Sequence, residues 1–363
     1  SAASDVYKRQ LSLGLTAQAE TVTELPRNET LYFAGQQWGT VNSWNVIGTN
    51  QNNAMAIAGG IAGYRTLMFE TLYMYNFMDG SLTGLLADGD YAWNEDMTEL
   101  SVKIKDAAKW SDGTDVTAQD VARTFEIGVE IGNGTGTSYG AYIAGIDAVD
   151  DKNLVIRAAL NDAGQPVNPL KLLDFLSGVP VAQAAWIDTV VERNGGDAVA
   201  ILNDAGDDVV WSGPYTRYFA DDTKVVLIRD DNYWGQDASM WGKLPVPKYI
   251  AHAIYADNPA GETALKAGEV DVCQQFIGNI QNLWLEDGLP ISTFYDEAPY
   301  GVCLTMPTAW YNMNLPVIAE NTALRKAIAM AVDYDTIIAN AMTNQSPSFS
   351  DVCLLYTSPS PRD

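Results

Sequence analysis

Histidine is almost missing from this sequence of 363 residues, which contains a single one, His252. A Ser-His-Asp triad or a histidine-based zinc site would have to be built around that residue alone. His252 lies in the middle of the predicted strand KYIAHAIYA, a position typical of a packed residue. We therefore expect no histidine-dependent catalysis, no metal site and no cofactor.

Cysteine is nearly as rare, with three residues in the chain. Cys353 falls in an atypical terminal segment, which leaves Cys273 and Cys303. Two cysteines do not make a disulfide framework. A single bridge between them stays open for an exported protein.

Basic residues are few, 21 against 46 acidic ones, and the net charge is −25. Nucleic acid is not an expected partner, because binding to phosphates requires a basic face. Long hydrophobic runs are missing too, since no stretch approaches 18 consecutive apolar residues. The sequence therefore predicts no membrane-spanning helix.

The two ends of the chain do not resemble the sequence between them. Residues 1–10 and 353–363 resemble in-frame translations of sequencing-library adapters, with genuine disordered tails as the alternative, and both are excluded from fold reasoning. Residues 11–19, LSLGLTAQA, are typical of the second half of a secretory leader. Cleavage after Ala17-Gln18-Ala19 would leave a mature chain that begins at Glu20. A short buried strand is the alternative for this stretch.

The remaining length exceeds what one hydrophobic core usually holds, so two lobes are expected. The ten Trp and eighteen Tyr favour a cleft that makes apolar ring contacts, although ordinary core packing must account for most of them.

One stretch, AKWSDGTDVTAQDVARTF at residues 108–125, predicts a turn followed by a well-defined helix start. Ser111-Asp112-Gly113 suits a turn with a positive φ at glycine. Thr117 is a predicted helix N-cap, and Asp120 takes the reciprocal position of a capping box. We predict a helix from Thr117 to about Glu130, followed by a glycine-rich loop at residues 132–136. The loop lacks the lysine of a phosphate-binding loop.

Several motifs together resemble the extracellular solute-binding proteins of family 5, which serve peptide, nickel and oligosaccharide ABC importers. The residues that carry the resemblance are the 108–125 segment, FETLY at 69–73, WSGPY at 211–215 with NYWG at 232–235, ALKAGEVDV at 264–272 and LRKAIAMAVD at 324–333. The 211–235 segment also predicts a β-hairpin that turns at residues 220–223. Nearly all of residues 29–342 take part in the resemblance.

The resemblance implies an α/β, two-lobed periplasmic-binding-protein type II fold with an extra subdomain in lobe I and an incomplete lobe II. The expected boundaries are 20–60, 61–205 and 206–262 for lobe I, with 61–205 as the extra subdomain, and 263–352 for lobe II. It also implies an exported monomer, located in the periplasm or on the outer face of the membrane or cell wall. Such a protein would close over a solute and deliver it to ABC permease subunits.

Candidate ligand-binding residues fall into three groups. In QQWGTVNSWN, flat Trp rings and side-chain amides suit sugar recognition, although a Trp-anchored loop packed on lobe I is the alternative for both Trp38 and Trp44. The second group follows ALKAGEVDV, and the third precedes the LRKAIAMAVD helix. The full set is Trp38, Asn42, Trp44, Asn45, Gln274, Gln275, Phe276, Trp310 and Tyr311.

We expect a cello- or xylo-oligosaccharide as the ligand, because the Trp-rich opening looks like that branch of the family. An oligopeptide is the main alternative. A secreted glycoside hydrolase, which needs only two carboxylates, or an adhesion module is a further alternative. No carboxylate stands in a context that identifies it as catalytic, so we expect a binding protein and not an enzyme.

Overall fold

The computed structural model describes residues 24–34, 43–48, 67–76, 79–221, 223–273, 275–298, 300–301 and 310–345. The chain divides into two compact units between Gln275 and Phe276. Within the described residues, the first unit holds the strands and six of the helices, and the second unit holds short helices.

The first unit is built on two larger sheets and a small ribbon. Its strands are β1 (Thr30–Ala34), β2 (Tyr73–Tyr75), β3 (Leu82–Gly84), β4 (Ala92–Trp93), β5 (Glu99–Lys103), β6 (Ile143–Ala148), β7 (Asn153–Ala158), β8 (Tyr215–Ala220), β9 (Lys224–Arg229), β10 (Tyr249–Ala253) and β11 (Val272–Cys273). The five-stranded sheet has the order β11-β1-β10-β9-β8, the four-stranded sheet has the order β4-β5-β7-β6, and β2 pairs with β3.

The five-stranded sheet is mixed. β1 runs parallel to both of its neighbours, β10 and β11. β9 is antiparallel to β10 and to β8, which confirms the predicted hairpin. The four-stranded sheet is antiparallel throughout. In β5, buried Leu100 and Val102 alternate with exposed neighbours, as their spacing predicts.

Helices pack against the sheets of the first unit, and four short helices lie in the described part of the second. The first unit contains α1 (Ala118–Ile131), α2 (Gly134–Tyr139), α3 (Leu170–Gly178), α4 (Ala184–Arg193), α5 (Ala198–Leu202) and α6 (Asn258–Lys266). The second unit contains α7 (Asn282–Leu285), α8 (Pro316–Ala319), α9 (Thr322–Met330) and α10 (Tyr334–Ala341).

The start of α1 confirms the predicted capping box. The Thr117 side chain accepts from the Asp120 backbone N–H, and the Asp120 carboxylate accepts from the Thr117 backbone N–H at 2.8 Å. Asp120 also accepts from Trp110 Nε1 at 3.1 Å and from the Ala184 backbone N–H at 2.7 Å. One carboxylate therefore joins the turn, α1 and the start of α4. Gly132, with φ of 66°, ends the helix.

The glycine-rich loop predicted at residues 132–136 is partly wrong, because α2 begins at Gly134. The Asn133 side chain accepts from the backbone N–H groups of Thr135 and Gly136 and so caps a new helix. Gly136 lies against the backbone of α1, where an added Cβ would stand 2.0 Å from the Gly128 carbonyl oxygen. This close packing overrides the low helix propensity of glycine.

Two hydrophobic clusters form the core of the first unit. One packs the four-stranded sheet against α1 and α3, and includes Leu100, Ile104, Val121, Phe125, Ile156 and Phe175. The other packs beside the five-stranded sheet, and includes Met68, Phe69, Ile187, Val225 and Leu227. Phe69 and Tyr73 are fully buried. The apolar run RTLMFETLYMYN at residues 65–76 predicts core aromatic residues, and the burial of these two confirms it.

The second unit buries Ile277, Ile280 and Leu283, and two hydrogen bonds join the start of its described part to the end. Thr343 accepts from the Asn279 backbone N–H at 2.9 Å, and Gln345 donates to the Ile277 carbonyl at 2.8 Å. The helix predicted in LRKAIAMAVD is present as α9, and its N-cap Asn321 accepts from the Leu324 N–H at 2.9 Å.

Candidate functional site at the carboxyl edge of three parallel strands

Three parallel strands of the first unit end at one edge of the five-stranded sheet. Phe33 of β1 stands opposite His252 of β10 and Val272 of β11, and Ala34 stands opposite Cys273. The carboxyl ends of β1, β10 and β11 therefore lie side by side. In open α/β sheets this edge is where ligands bind, because the loops that leave it diverge and open a crevice.

Two of the three predicted groups of binding residues lie directly after these strand ends. Residues 38–45 follow β1, and residues 274–276 follow β11. Trp38, Asn42 and Gln274 lie outside the described residues. The sheet topology therefore fixes where the chain leaves β1 and β11. Ligand contact by the individual side chains stays a prediction.

Trp44 and Asn45 are described, and both are buried. Asn45 is fully buried: its amide nitrogen donates to the Ile201 carbonyl at 2.8 Å, and its amide oxygen accepts from the Ile47 N–H at 3.0 Å. The Trp44 side chain is 9% exposed, and the Arg217 guanidinium lies 5.7 Å from its ring centroid. The two residues form an anchor, which follows Trp38 and Asn42 in the sequence.

The partner of this anchor is the segment at residues 204–208. The Ser43 hydroxyl donates to the Asp204 carbonyl at 2.8 Å, and the Trp44 N–H donates to the Ala205 carbonyl at 2.8 Å. Arg193 forms ion pairs with the carboxylates of Asp204 and Asp208. Hydrogen bonding from Arg193 lowers the pKa of Asp204 to about 2. The anchoring segment is thus fixed by charge pairing and by backbone hydrogen bonds.

Gln275 lies at the end of the first unit, beside α6. Its amide oxygen is buried and has no hydrogen-bond partner among the described residues. It presses against Gly261, where an added Cβ would stand 1.8 Å away. A buried acceptor without a donor is rare in native structures. Such an oxygen is suited to accept from a bound solute or a water molecule.

The remaining candidates belong to the second unit. Phe276 is 38% exposed, and the Trp310 side chain is 90% exposed. The Tyr311 hydroxyl donates to the Arg325 carbonyl at 2.9 Å, which fixes its ring against α9. Phe276 and Trp310 are therefore accessible, and Tyr311 is held in place within the second unit. A role in ligand binding stays a prediction for all three.

His252 and the cysteines are the residues that sequence analysis considered first for catalysis, metal binding or a disulfide bridge. His252 is fully buried, and its ring packs edge-on against Phe33 at 5.4 Å. No group of three His, Cys, Asp or Glu side chains able to hold a metal ion occurs among the described residues. Burial raises the pKa of the Cys273 thiol. Cys303 lies outside the described residues, so a bridge between the two stays a prediction.

None of the helices in the described segments is both long enough and apolar enough to cross a bilayer.

Sequence reasoning missed a buried polar cluster around Glu70. The carboxylate accepts from the Tyr233 hydroxyl and, at 3.0 Å, from Trp234 Nε1. Burial raises the pKa of Glu70 to about 7, against the opposing effect of these hydrogen bonds and of Lys105. A glutamate within the apolar run LMFETLY was the available signal, because a charged residue in such a run is buried only when it is paired.

Comparison with known proteins identifies the family of this chain. The model for bacterial extracellular solute-binding proteins, family 5 Middle, matches residues 81–352. The peptidoglycan-binding protein YepA of Agrobacterium fabrum is 28% identical over 213 residues, covering 58% of this chain and 32% of that protein. The oligopeptide-binding protein OppA of Bacillus subtilis is 25% identical over 297 residues, covering 75% of this chain and 50% of that protein. The chain thus spans half or less of the length of these relatives.

A solved structure supports the fold. The mannohexaose-bound periplasmic oligopeptide-binding protein of Thermotoga maritima superimposes with a TM-score of 0.68 at 24% identity, covering 89% of this chain and 55% of that one. The predicted α/β fold of the periplasmic-binding-protein type is confirmed by this likeness. Since the family model covers well over half of the sequence, the chain belongs to the bacterial extracellular solute-binding proteins of family 5.

Proposed function

We propose that this chain is the solute-capturing component of an ABC importer, and that its ligand is an oligosaccharide of the cello- or xylo-oligosaccharide type. The observation that carries the proposal is the shared carboxyl edge of β1, β10 and β11, from which two candidate loops leave. Trp38 would pack against the apolar face of a sugar ring, and the amides of Asn42, Gln274 and Gln275 would replace hydrogen bonds that the hydroxyls lose on leaving water. Phe276, Trp310 and Tyr311 are the proposed contributors from the second unit.

Within this proposal Trp44 and Asn45 support the site. They are buried against residues 201–206, and their replacement would weaken binding by loosening the anchor that follows Trp38 and Asn42 in the sequence. The proposed protein is an exported monomer that releases its solute unchanged to permease subunits. Its family, which consists of solute-binding proteins, supports a non-enzymatic role.

An oligopeptide is the second candidate ligand, because one of the relatives is named an oligopeptide-binding protein. The Thermotoga maritima protein, also named for oligopeptides, has mannohexaose bound in its crystal structure, so a single structural neighbour is associated with both ligand classes. A peptide would use the same edge of the sheet, with backbone amides in place of sugar hydroxyls.

The test is isothermal titration calorimetry on the natural polypeptide that contains this chain, with cello- and xylo-oligosaccharides in one series and short peptides in another. We expect saturable binding of a sugar, weakened in Trp38→Ala by about 1 to 3 kcal/mol, the value of a buried aromatic contact. Trp93→Ala, in the four-stranded sheet, is the matched control and should bind the sugar as the natural protein does.

Binding of peptides without any response to sugars would replace the oligosaccharide with the second candidate. Mass spectrometry of the recovered ligand tests the non-enzymatic role, because a binding protein returns the sugar intact. Cleaved products that appear with the natural protein and not with a buffer control would overturn it.

A further inference from the structure

A cleft of about 760 Å³ opens in the first unit, away from the five-stranded sheet. Its walls are the β2-β3 ribbon, the turn before β4 and one face of α3. The polar and aromatic side chains that line it are Tyr75, Ser81, Asp90, Tyr91, Asp174 and Ser177. Its volume is within the range of sites that hold small organic ligands.

The two tyrosine rings are positioned by the structure around them. Tyr75 ends β2, and Tyr91 immediately precedes β4. The ring of Tyr91 packs against buried Tyr73 at 5.9 Å, with an interplanar angle of 83°. The Tyr73 hydroxyl donates to the Gly89 carbonyl at 3.0 Å, which holds the turn that carries Asp90. Tyr75 and Tyr91 are both half-buried, and both line the cleft.

The two carboxylates of the cleft differ in their charge balance. Asp174 forms an ion pair with Lys171 at 2.8 Å, so most of its charge is compensated. The Asp90 side chain is exposed and forms no hydrogen bond or ion pair with any residue that the structure describes. The nearby lysines are engaged elsewhere, Lys103 with Asp88 and Lys105 with the carbonyls of Leu85 and Ala87. The cleft therefore carries one uncompensated negative charge beside two aromatic rings.

We propose that this cleft binds an organic cation, with an ammonium group held by the Asp90 carboxylate and the faces of Tyr75 and Tyr91. An aromatic face attracts a cation through its quadrupole, and a neighbouring carboxylate adds a direct charge interaction. Leu82 and Leu173, which also line the cleft, suit the apolar part of such a ligand. The net charge of −25 raises the local concentration of cations around the whole chain. This site is separate from the carboxyl edge proposed above for the transported solute.

A neutral sugar fits the cleft less well, because it would leave the Asp90 charge without a counter-charge, although the serine and tyrosine hydroxyls could bond to it. A metal ion fits less well too, since no group of three metal-capable side chains occurs among the described residues.

Choline is a suitable probe, because 3,3-dimethylbutan-1-ol has the same shape without the charge. We expect saturable choline binding by calorimetry or by NMR shift titration, at least about tenfold tighter than that of the neutral isostere. Asp90→Asn keeps the size of an exposed side chain, and Tyr75→Leu removes one ring; each should weaken choline binding about tenfold. Added salt should weaken it further.

Asp162→Asn, an exposed aspartate on another turn, is the matched control and should leave choline binding unchanged. Equal binding of choline and its isostere, or choline binding that Asp90→Asn and Tyr75→Leu do not alter, would overturn the proposal. Trp38→Ala separates this site from the proposed solute site. Choline binding that survives Trp38→Ala supports a separate cleft, and its loss in that variant would assign the cation to the solute site instead.

Discussion

Glutamine in place of Glu70 should remove a pH dependence from the stability of the first unit. The Glu70 carboxyl is 2% exposed, and burial raises its pKa from 4.5 to about 7. A group whose pKa is raised on folding binds its proton more tightly in the folded state. Its contribution to stability is therefore fully present below about pH 4.5 and is lost as the pH rises through about 7. A difference of about 2.5 units is worth roughly 3 kcal/mol at most.

Glutamine can imitate the protonated acid at this position. Its amide nitrogen would donate to the Tyr233 oxygen, and its amide oxygen would accept from Trp234 Nε1, which also donates to the Ser212 carbonyl at 3.0 Å. The Tyr233 hydroxyl hydrogen loses Glu70 as its acceptor, as it also does when the acid is protonated, and Trp234 Nε1 keeps its partners. We therefore expect Glu70→Gln to be more stable than the natural protein at about pH 8 and close to it at about pH 5.

The assay is urea unfolding followed by tryptophan fluorescence at a series of pH values from about 5 to about 8.5. The difference between the two proteins isolates Glu70, since every other titrating group, including His252, is common to both. Tyr233→Phe provides a second test. The Tyr233 hydroxyl lowers the Glu70 pKa, so its loss should move the pH dependence to higher pH. Equal slopes for Glu70→Gln and the natural protein, or a natural protein whose stability relative to Glu70→Gln rises with pH in this window, would refute the reasoning.

Two further variants test how the first unit is assembled, both by urea unfolding. Asp120→Ala removes a buried carboxylate that accepts hydrogen bonds from three segments, and it should lower the free energy of unfolding by about 2 to 4 kcal/mol. Asp197→Ala removes only an exposed N-cap and should lower it by about 1 kcal/mol. Equal losses in the two variants would contradict the bridging role of Asp120. Gly206→Ala introduces a Cβ 2.5 Å from the Asn45 backbone nitrogen at a φ of +65° and should cost at least about 2 kcal/mol. Gly89→Ala has a similar φ and open space around it, and should cost about 1 kcal/mol; a Gly206→Ala cost no greater than this would show that the anchor is not tightly packed.

Local signals predicted several elements of the first unit. The capping box of Thr117 and Asp120 involves residues three apart, so the helix start could be inferred without any knowledge of the fold. The alternation of Leu100 and Val102 with exposed neighbours and the hairpin of β8 and β9 are also properties of short windows. Prediction failed at α2, because the approach of Gly136 to the Gly128 backbone is not visible in a glycine-rich stretch.

The predicted site depended more strongly on contacts between distant residues. Sequence reasoning chose Trp44 and Asn45 because tryptophan and asparagine suit sugar recognition, and it kept a packed loop as the alternative for Trp44. Which of these holds depends on residues more than 150 positions away, since the Asn45 amide bonds to Ile201 and the Trp44 N–H to Ala205. Glu70 was missed for the same reason, because its partners Tyr233 and Trp234 are 163 and 164 positions distant.

The sequence by itself therefore determined where α1 begins and where the β8-β9 hairpin turns, that a site needing two or more histidines cannot form within this chain, and which family the motifs resemble. These properties depend on residue types and on spacings within one or two turns of chain. Only the tertiary structure decided that β1 pairs in parallel with both β10 and β11, and so that the segments following β1 and β11 leave the same edge of one sheet. Strand pairing across more than 200 residues is set by the burial of whole faces, and no short stretch of sequence contains that information.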